Sequence, residues 1–143
     1  MEHLRITTDR AELDLAVIHR FLAEQSTWAR GIPRATVERS LEHSLCFGGF
    51  VGAAQVAFAR VISDFATFAY LVDVFVLPTH RGRGYSRALM DAVIGHPHLQ
   101  GLRRFTLATS TAAGLYEKYG FMPLSRPESF MERYIPDIYE RGA

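Results

Sequence analysis

One stretch of the chain pairs glycines with cations at a spacing that can hold an anion: Arg81-Gly82-Arg83-Gly84-Tyr85-Ser86. It follows an apolar run ending at Pro78 and opens a segment of helical periodicity. A helix start exposes unpaired N–H groups and the positive end of the macrodipole, and phosphate binds there readily. Gly82 and Gly84 admit positive φ and close backbone approach, so successive N–H groups can form a nest; Arg81, Arg83 and Arg87 add charge. The spacing is not G-x-G-x-x-G, and it lacks the Lys-Ser/Thr ending of a nucleoside-triphosphate loop, which argues against both standard modes. Read alone, the six residues fit a solvated basic turn as well as an anion site.

Other residues with chemical potential are fewer. Asp73 interrupts an apolar run, and a charge there is costly unless paired or solvated. A site carboxylate and a salt bridge to an arginine both satisfy that condition. The histidines show no close metal spacing such as H-x-x-x-H, so no metal is expected. Cys46 beside Phe47 reads as buried packing, and a lone cysteine builds no internal disulfide. Arg60 and Asp64 flank a turn and read as surface residues.

These residues fall on elements that the periodicity of the chain predicts. Residues 4–7 predict a strand. Leu13, Val17 and Phe21 recur every four residues and predict a helix over 10–25. Residues 26–32 form a loop carrying Trp28 and Arg30, and Pro33 starts a second helix over 33–45. Strands are predicted over 45–51, 53–62 and 65–77, the last apolar on both faces as a central strand is. After Pro78 the period becomes 3.6, with Tyr85, Ala88, Leu89, Ala92 and Val93 on one stripe. A strand over 104–109, a short helix over 111–119 capped by Gly120, and strands over 121–124 and 129–134 complete the pattern. The result is an α/β layout with a mixed sheet of about six to seven strands and four helices, in one domain over residues 1–143.

Composition narrows the class. The chain has 143 residues, enough for one core, with 48% hydrophobic and 22% charged residues. A formal net charge of +1 argues against a dedicated nucleic-acid binder. The polar start MEHLRITTDRAELD has no apolar signal core, and no apolar run is long enough to span a bilayer. The expected compartment is the cytoplasm, with no membrane partner.

The run VDVFVLPTHRGRGYSRALM resembles the GCN5-related N-acetyltransferase (GNAT) superfamily. Its pyrophosphate signature, Arg/Gln-x-x-Gly-x-Gly/Ala, reads here Arg81-x-x-Gly84-x-Ser86, with Ser as the last small residue. A second family motif, A-x-x-L-Y-x-K-x-G-F, reads Ala112-x-x-Leu115-Tyr116-Glu117-Lys118-Tyr119-Gly120-Phe121. Thr109 stands where the family often has Asn, and it is counted with the donor site. The resemblance is firm over about residues 45–125.

The resemblance implies two parallel strands that splay apart around acyl-CoA, with acetyl-CoA as the donor substrate. The backbone of Phe75, Val76 and Leu77 would pair with the pantetheine arm. Arg81, Gly82, Arg83, Gly84, Tyr85 and Ser86 would hold the pyrophosphate. Tyr116 occupies the family position of the acid that protonates the leaving thiolate. Tyr70 and Asp73 are the candidates for a base or water relay, and Trp28 and Arg30 for the acceptor pocket. A backbone N–H near Val76, freed by a bulge, is the expected oxyanion partner. The expected reaction is direct acetyl transfer to an amine, most simply a small molecule, in a ternary complex. A non-catalytic acyl-CoA-binding or sensing module is the alternative. Family members commonly form dimers, so a homodimer is the expected assembly.

Overall fold

The computed structural model describes residues 3–141. Short polar side chains decide where its N-terminal elements begin. Asp9 accepts the Ala11 N–H at 3.0 Å and starts a 3-10 turn over Arg10–Glu12. Asp14 accepts the Val17 N–H at 3.2 Å and caps helix α1, Leu15–Arg20. The helix expected over 10–25 is therefore divided, because these aspartates compete for backbone N–H groups. Its last part is a π-helical turn over Phe21–Gln25, closed by Ser26 N–H donating to Phe21 O at 2.9 Å. Helix α2, Arg34–Glu42, buries Val37 and Leu41.

Among the described residues the sheet has five strands: β1 Arg5–Thr7, β2 Leu45–Val51, β3 Ala54–Ser63, β4 Phe68–Val76 and β5 Arg104–Leu107. They lie in sequence order, antiparallel up to β4, with β5 parallel to β4. A parallel pair needs a crossover, and helix α3, Tyr85–Ile94, supplies it. Strand β4 starts three residues later than expected. Asp64 accepts the N–H groups of Ala66, Thr67 and Phe68 and the Thr67 hydroxyl, which folds that stretch into a turn. The same bonds, led by Thr67, hold the Asp64 carboxyl well below the usual carboxylate range.

The mixed α/β layout is as expected, but the strand count is lower. Residues 121–124 and 129–134 are not strands. Pro123 removes a ladder donor from the first, and a 3-10 turn over Pro127–Ser129 takes up the start of the second. Phe121 turns inward instead, edge-on to Phe105 at 5.4 Å and to Tyr116 at 6.2 Å. The helix expected over 111–119 is shorter, α4 at Ala113–Glu117, and a further helix, α5, spans Ile138–Arg141. Among the described residues no helix is long and apolar enough to cross a membrane.

Apolar layers cover both faces of the sheet. Tyr85, Leu89, Met90 and Val93 of α3 pack on one face against Ala57, Val61 and Leu71. Ile18, Phe21, Leu22, Val37 and Leu41 pack on the other against Phe58 and Phe75. Pairing of β4 with β5 covers Phe68 to Leu71 against Arg104 to Leu107 and then stops, while β4 runs on to Val76. The two parallel strands therefore splay at their C-terminal ends, where α3 begins.

Phe58 is fully buried beneath Phe75, with ring centroids 5.8 Å apart. A Phe58→Ala variant is expected to lose about 3–5 kcal/mol of stability. The check is a lowered urea midpoint with an unchanged slope.

Candidate active site

The loop beyond β4 is shaped by three local features. Pro78 to His80 form a 3-10 turn, and Gly82 and Gly84 take φ of 78° and 81°. Gly84 is the left-handed residue from which α3 starts. A Cβ built on either glycine meets nothing within 4 Å, so backbone conformation rather than crowding requires glycine there. The space over both glycines is open. It continues into a cavity of about 300 Å³ whose walls include Val76, Gly82, Gly84, Ser86, Leu115 and Lys118. Arg81 and Arg87 also line it, which makes the cavity cationic. Arg83 is exposed and, among the described residues, donates to Thr79 O at 3.5 Å.

Arg81 has a second task. Its Nε donates to Val76 O at 2.9 Å and ties the loop to the end of β4. Leu77 N–H donates to Val56 O at 2.8 Å, on the β3 side. Strand alternation then turns the Val76 N–H toward the gap beside β5. Of the three residues expected to pair with an added strand, Val76 has its amide on the open side. Phe75 is buried with its ring stacked on Phe21 at 4.1 Å.

The bulge lies at Asp73 and Val74, three residues before Val76. In the β3–β4 register, Phe58 pairs with Phe75 and Arg60 with Val72, so two residues of β4 face Ala59 alone. Asp73 has φ of 57°, an unusual value for a residue other than glycine. Both of its oxygens are engaged. Trp28 Nε1 donates to Oδ1 at 2.7 Å, and Arg60 Nε donates to Oδ2 at 2.9 Å. Arg60 also donates to Ser44 Oγ at 3.0 Å. The pair is nearly dry, with side-chain exposures of 14% for Arg60 and 8% for Asp73.

The loop carrying Trp28 is held as firmly. Ser26 is buried, its hydroxyl donating to Leu22 O at 2.6 Å and accepting the Ala29 N–H at 3.0 Å. Gly31, at φ of 81°, donates to Ala23 O at 2.9 Å. The Trp28 ring stays half exposed while its indole N–H is fixed on Asp73. Arg30 is exposed and is not drawn into this network. Tyr70 is half buried on β4, level with Ile62 of β3 and Thr106 of β5.

Tyr116 sits on α4, beside the cavity wall formed by Leu115 and Lys118. It is 9% exposed within the cluster under α3. Burial pushes its phenol above the usual tyrosine range. Its hydroxyl makes no hydrogen bond among the described residues, so it remains a spare donor. Thr109 is exposed, and its hydroxyl accepts the Ala112 N–H at 3.0 Å, which fixes the turn before α4.

The acetyltransferase (GNAT) domain family matches residues 42–123, more than half of the chain. A Gibberella zeae protein named for acetyltransferase activity, FG08082, is 31% identical over 136 residues, covering 79% of this chain and 75% of that protein. The chain belongs to the GNAT family of acetyltransferases. A crystal structure of a GNAT-family chain from Xanthomonas campestris pv. campestris superposes with a TM-score of 0.95 at 65% identity, covering 97% of this chain and 98% of that one. An acetyltransferase structure from Clostridium acetobutylicum, solved with acetyl-CoA, shares the fold at 16% identity with a TM-score of 0.63, covering 94% and 96%.

Within this GNAT domain the structure brings two sets of the predicted residues together and leaves Arg30, Tyr70, Arg83 and Thr109 outside both. Val76, Gly82, Gly84 and Ser86 meet at the cavity, and Trp28 and Asp73 meet at the bulge on the other side of β4. Arg60 and Lys118 belong with them and were not singled out by sequence. Arg60 read as a surface residue and is instead the buried partner of Asp73. The lysine of the Leu-Tyr-x-Lys motif was the available signal for Lys118.

Asp73→Ala leaves Arg60 buried without its counter-charge, which costs about 3–5 kcal/mol. Trp28 is the single tryptophan, so its emission reports this contact directly. The expected outcome is a lowered unfolding midpoint together with a shifted Trp28 emission. Asp73→Asn, which tolerates positive φ and keeps an acceptor for the indole, is expected to preserve the emission better than Asp73→Ala.

Proposed function

We propose that this GNAT domain transfers an acetyl group from acetyl-CoA directly to a small amine within a ternary complex. The observation that carries the reading is the cavity where β4 and β5 part. It joins open-faced glycines at a helix start, cations from Arg81, Arg87 and Lys118, and the outward Val76 amide. These groups fit a donor with a pyrophosphate at one end and a thioester at the other. The Clostridium acetobutylicum chain of the same fold, solved with acetyl-CoA, supports the same donor here.

The chemistry follows from the two sides of β4. The amine attacks the thioester carbonyl, the Val76 N–H faces the oxygen that gains charge, and the C–S bond breaks to release thiolate. Tyr116 donates a hydrogen bond to that sulfur. A thiol has a pKa of about 8.5 and a phenol about 10, so complete proton transfer is uphill by roughly 2 kcal/mol. Burial raises the Tyr116 phenol further and increases that cost. The same shift keeps the hydroxyl protonated, so stabilisation by a partly shared proton is the fitting role.

An alkyl ammonium of pKa near 10.4 is neutral in roughly one molecule in 2,500 at pH 7, so its proton needs a route out. Asp73 has both oxygens occupied, which leaves it to relay a proton through water rather than to accept the amine directly. Tyr70 lies on the same strand before the bulge and is the second relay candidate. Trp28 presents its half-exposed ring to the acceptor, with Arg30 at the rim.

Acceptors can be screened by release of CoA thiol, and Tyr116→Phe then tests the assignment. The expected outcome is a kcat about 10²-fold lower with acetyl-CoA affinity retained. Because the Tyr116 pKa is raised, the acid stays protonated through neutral and moderately alkaline pH. The wild-type kcat should fall only above the usual tyrosine range, and the variant should lack that limb. Equal kcat and equal alkaline profiles would remove Tyr116 from the mechanism.

A further inference from the structure

A second cavity, of about 400 Å³, lies between α2 and β3, and the donor site does not account for it. Thr36, Arg39, Ser40 and His43 line it from α2 and the residue that ends that helix. Their spacing, i, i+3, i+4 and i+7, marks one helix face, and that face is polar. Arg60 and Ile62 line it from β3, and Ser44 from the turn after α2.

The walls carry two arginines and no carboxylate. Asp73 balances one of them through its ion pair with Arg60. Arg39 is exposed and enters no ion pair among the described residues. The two serine hydroxyls are already committed, Ser40 to Val37 O at 2.6 Å and Ser44 to Ser40 O at 2.8 Å. The Thr36 hydroxyl and the His43 ring make no hydrogen bond among the described residues. Arg60 commits its Nε to Asp73 and one Nη1 hydrogen to Ser44, so its Nη2 hydrogens are left over. One uncompensated cation and several spare donors suit an anion. The negative end of the α2 dipole works against this, but its last carbonyls are occupied. Ser40 O accepts the His43 N–H and the Ser44 hydroxyl, and Leu41 O accepts the Ser44 N–H and the Arg10 guanidinium.

The cavity also borders the acceptor side of the site. Arg60 holds one oxygen of Asp73, and Trp28 holds the other. Ile62, 43% exposed, stands level with Tyr70 on β4 and offers an apolar surface to a methylene chain. Asp73 precedes Val76 by three residues, about 10 Å of strand. An anion at Arg60 and an amine near Val76 therefore fit one molecule with several carbons between its ends.

We propose that this cavity holds an anionic group, carboxylate or phosphate, at the far end of the amine acceptor, an inference that rests on the direct transfer to an amine argued above. Arg39 and Arg60 grip the anion, and Ile62 covers the chain that leads from it toward the bulge. The acceptor class is then an amine that carries an acid.

Hexylamine and 6-aminohexanoate, compared with acetyl-CoA as donor, test the proposal, and 6-aminohexyl phosphate separates phosphate from carboxylate. At least one acid-bearing amine is expected to exceed hexylamine in kcat/KM by about tenfold or more, mainly through KM. Arg39→Ala should reduce that preference about tenfold. Arg34→Ala removes a cation from the same helix outside the cavity and should leave the preference unchanged. Binding of each amine with CoA present, followed by emission of the single tryptophan, Trp28, repeats the comparison without turnover. Equal kcat/KM and equal affinity for all three amines would overturn the anion site and leave amine acetylation standing. A preference that Arg39→Ala leaves intact would overturn its placement in this cavity. Binding of an acid-bearing amine that depends on Arg39, without turnover of any amine, would support the anion site and overturn the transfer. Absence of both would overturn both.

Discussion

A carboxylate at the centre of β4 organises the rest of this structure. Asp73 interrupts the ladder at φ of 57°, and the bulge it makes resets the alternation of the strand beyond it. After that reset, Phe75 points into the α1–α2 layer and Val76 toward α3. The Val76 amide then faces the gap that β5 vacates. A residue other than glycine holds such a backbone only when its surroundings over-determine it. Here Arg60 and Trp28 do so from two directions, each on one carboxylate oxygen.

The same contact couples the two sides of the site. Phe75 stacks on Phe21, Phe21 packs at 6.4 Å from Trp28, and Trp28 closes the ring on Asp73. The loop carrying Trp28 is thereby fixed to the strand that leads into the glycine loop and its cavity. Breaking a buried ion pair costs far more than losing a surface one, because the survivor remains charged and dry. The surface pair Arg126–Glu128, at 3.6 Å and largely exposed, has no comparable hold on the fold.

What sequence could reveal follows from the range of each interaction. The glycine loop was legible because its conformation is local: Gly82 and Gly84 require positive φ, and the helix begins where periodicity changes. The strands up to β4 were legible from apolar runs broken at Gly52 and Pro78. Arg60 was not, since its burial depends on the register that sets β3 against β4. Nor was the bulge, because Asp73 gives no glycine signal for positive φ. Residues 129–134 have strand-like composition, but a strand exists only with a neighbour, and composition cannot say whether one is in reach. Asp73 illustrates the middle case: its cost was readable from the apolar run, while the choice between ion pair and free base required coordinates.

The central claim is that backbone N–H groups of the Gly82–Gly84 loop, not adventitious surface charge, select a donor bearing a pyrophosphate. The most direct measurement is calorimetric binding of acetyl-CoA against acetyl-pantetheine, which lacks that group, to the wild type and to Gly84→Val. The account predicts that the wild type binds acetyl-CoA far more tightly than acetyl-pantetheine. It also predicts that Gly84→Val, which cannot adopt φ of 81° without strain, loses most of that difference while leaving acetyl-pantetheine binding nearly unchanged. Equal binding of the two donors by the wild type, or a difference that survives Gly84→Val intact, would contradict it.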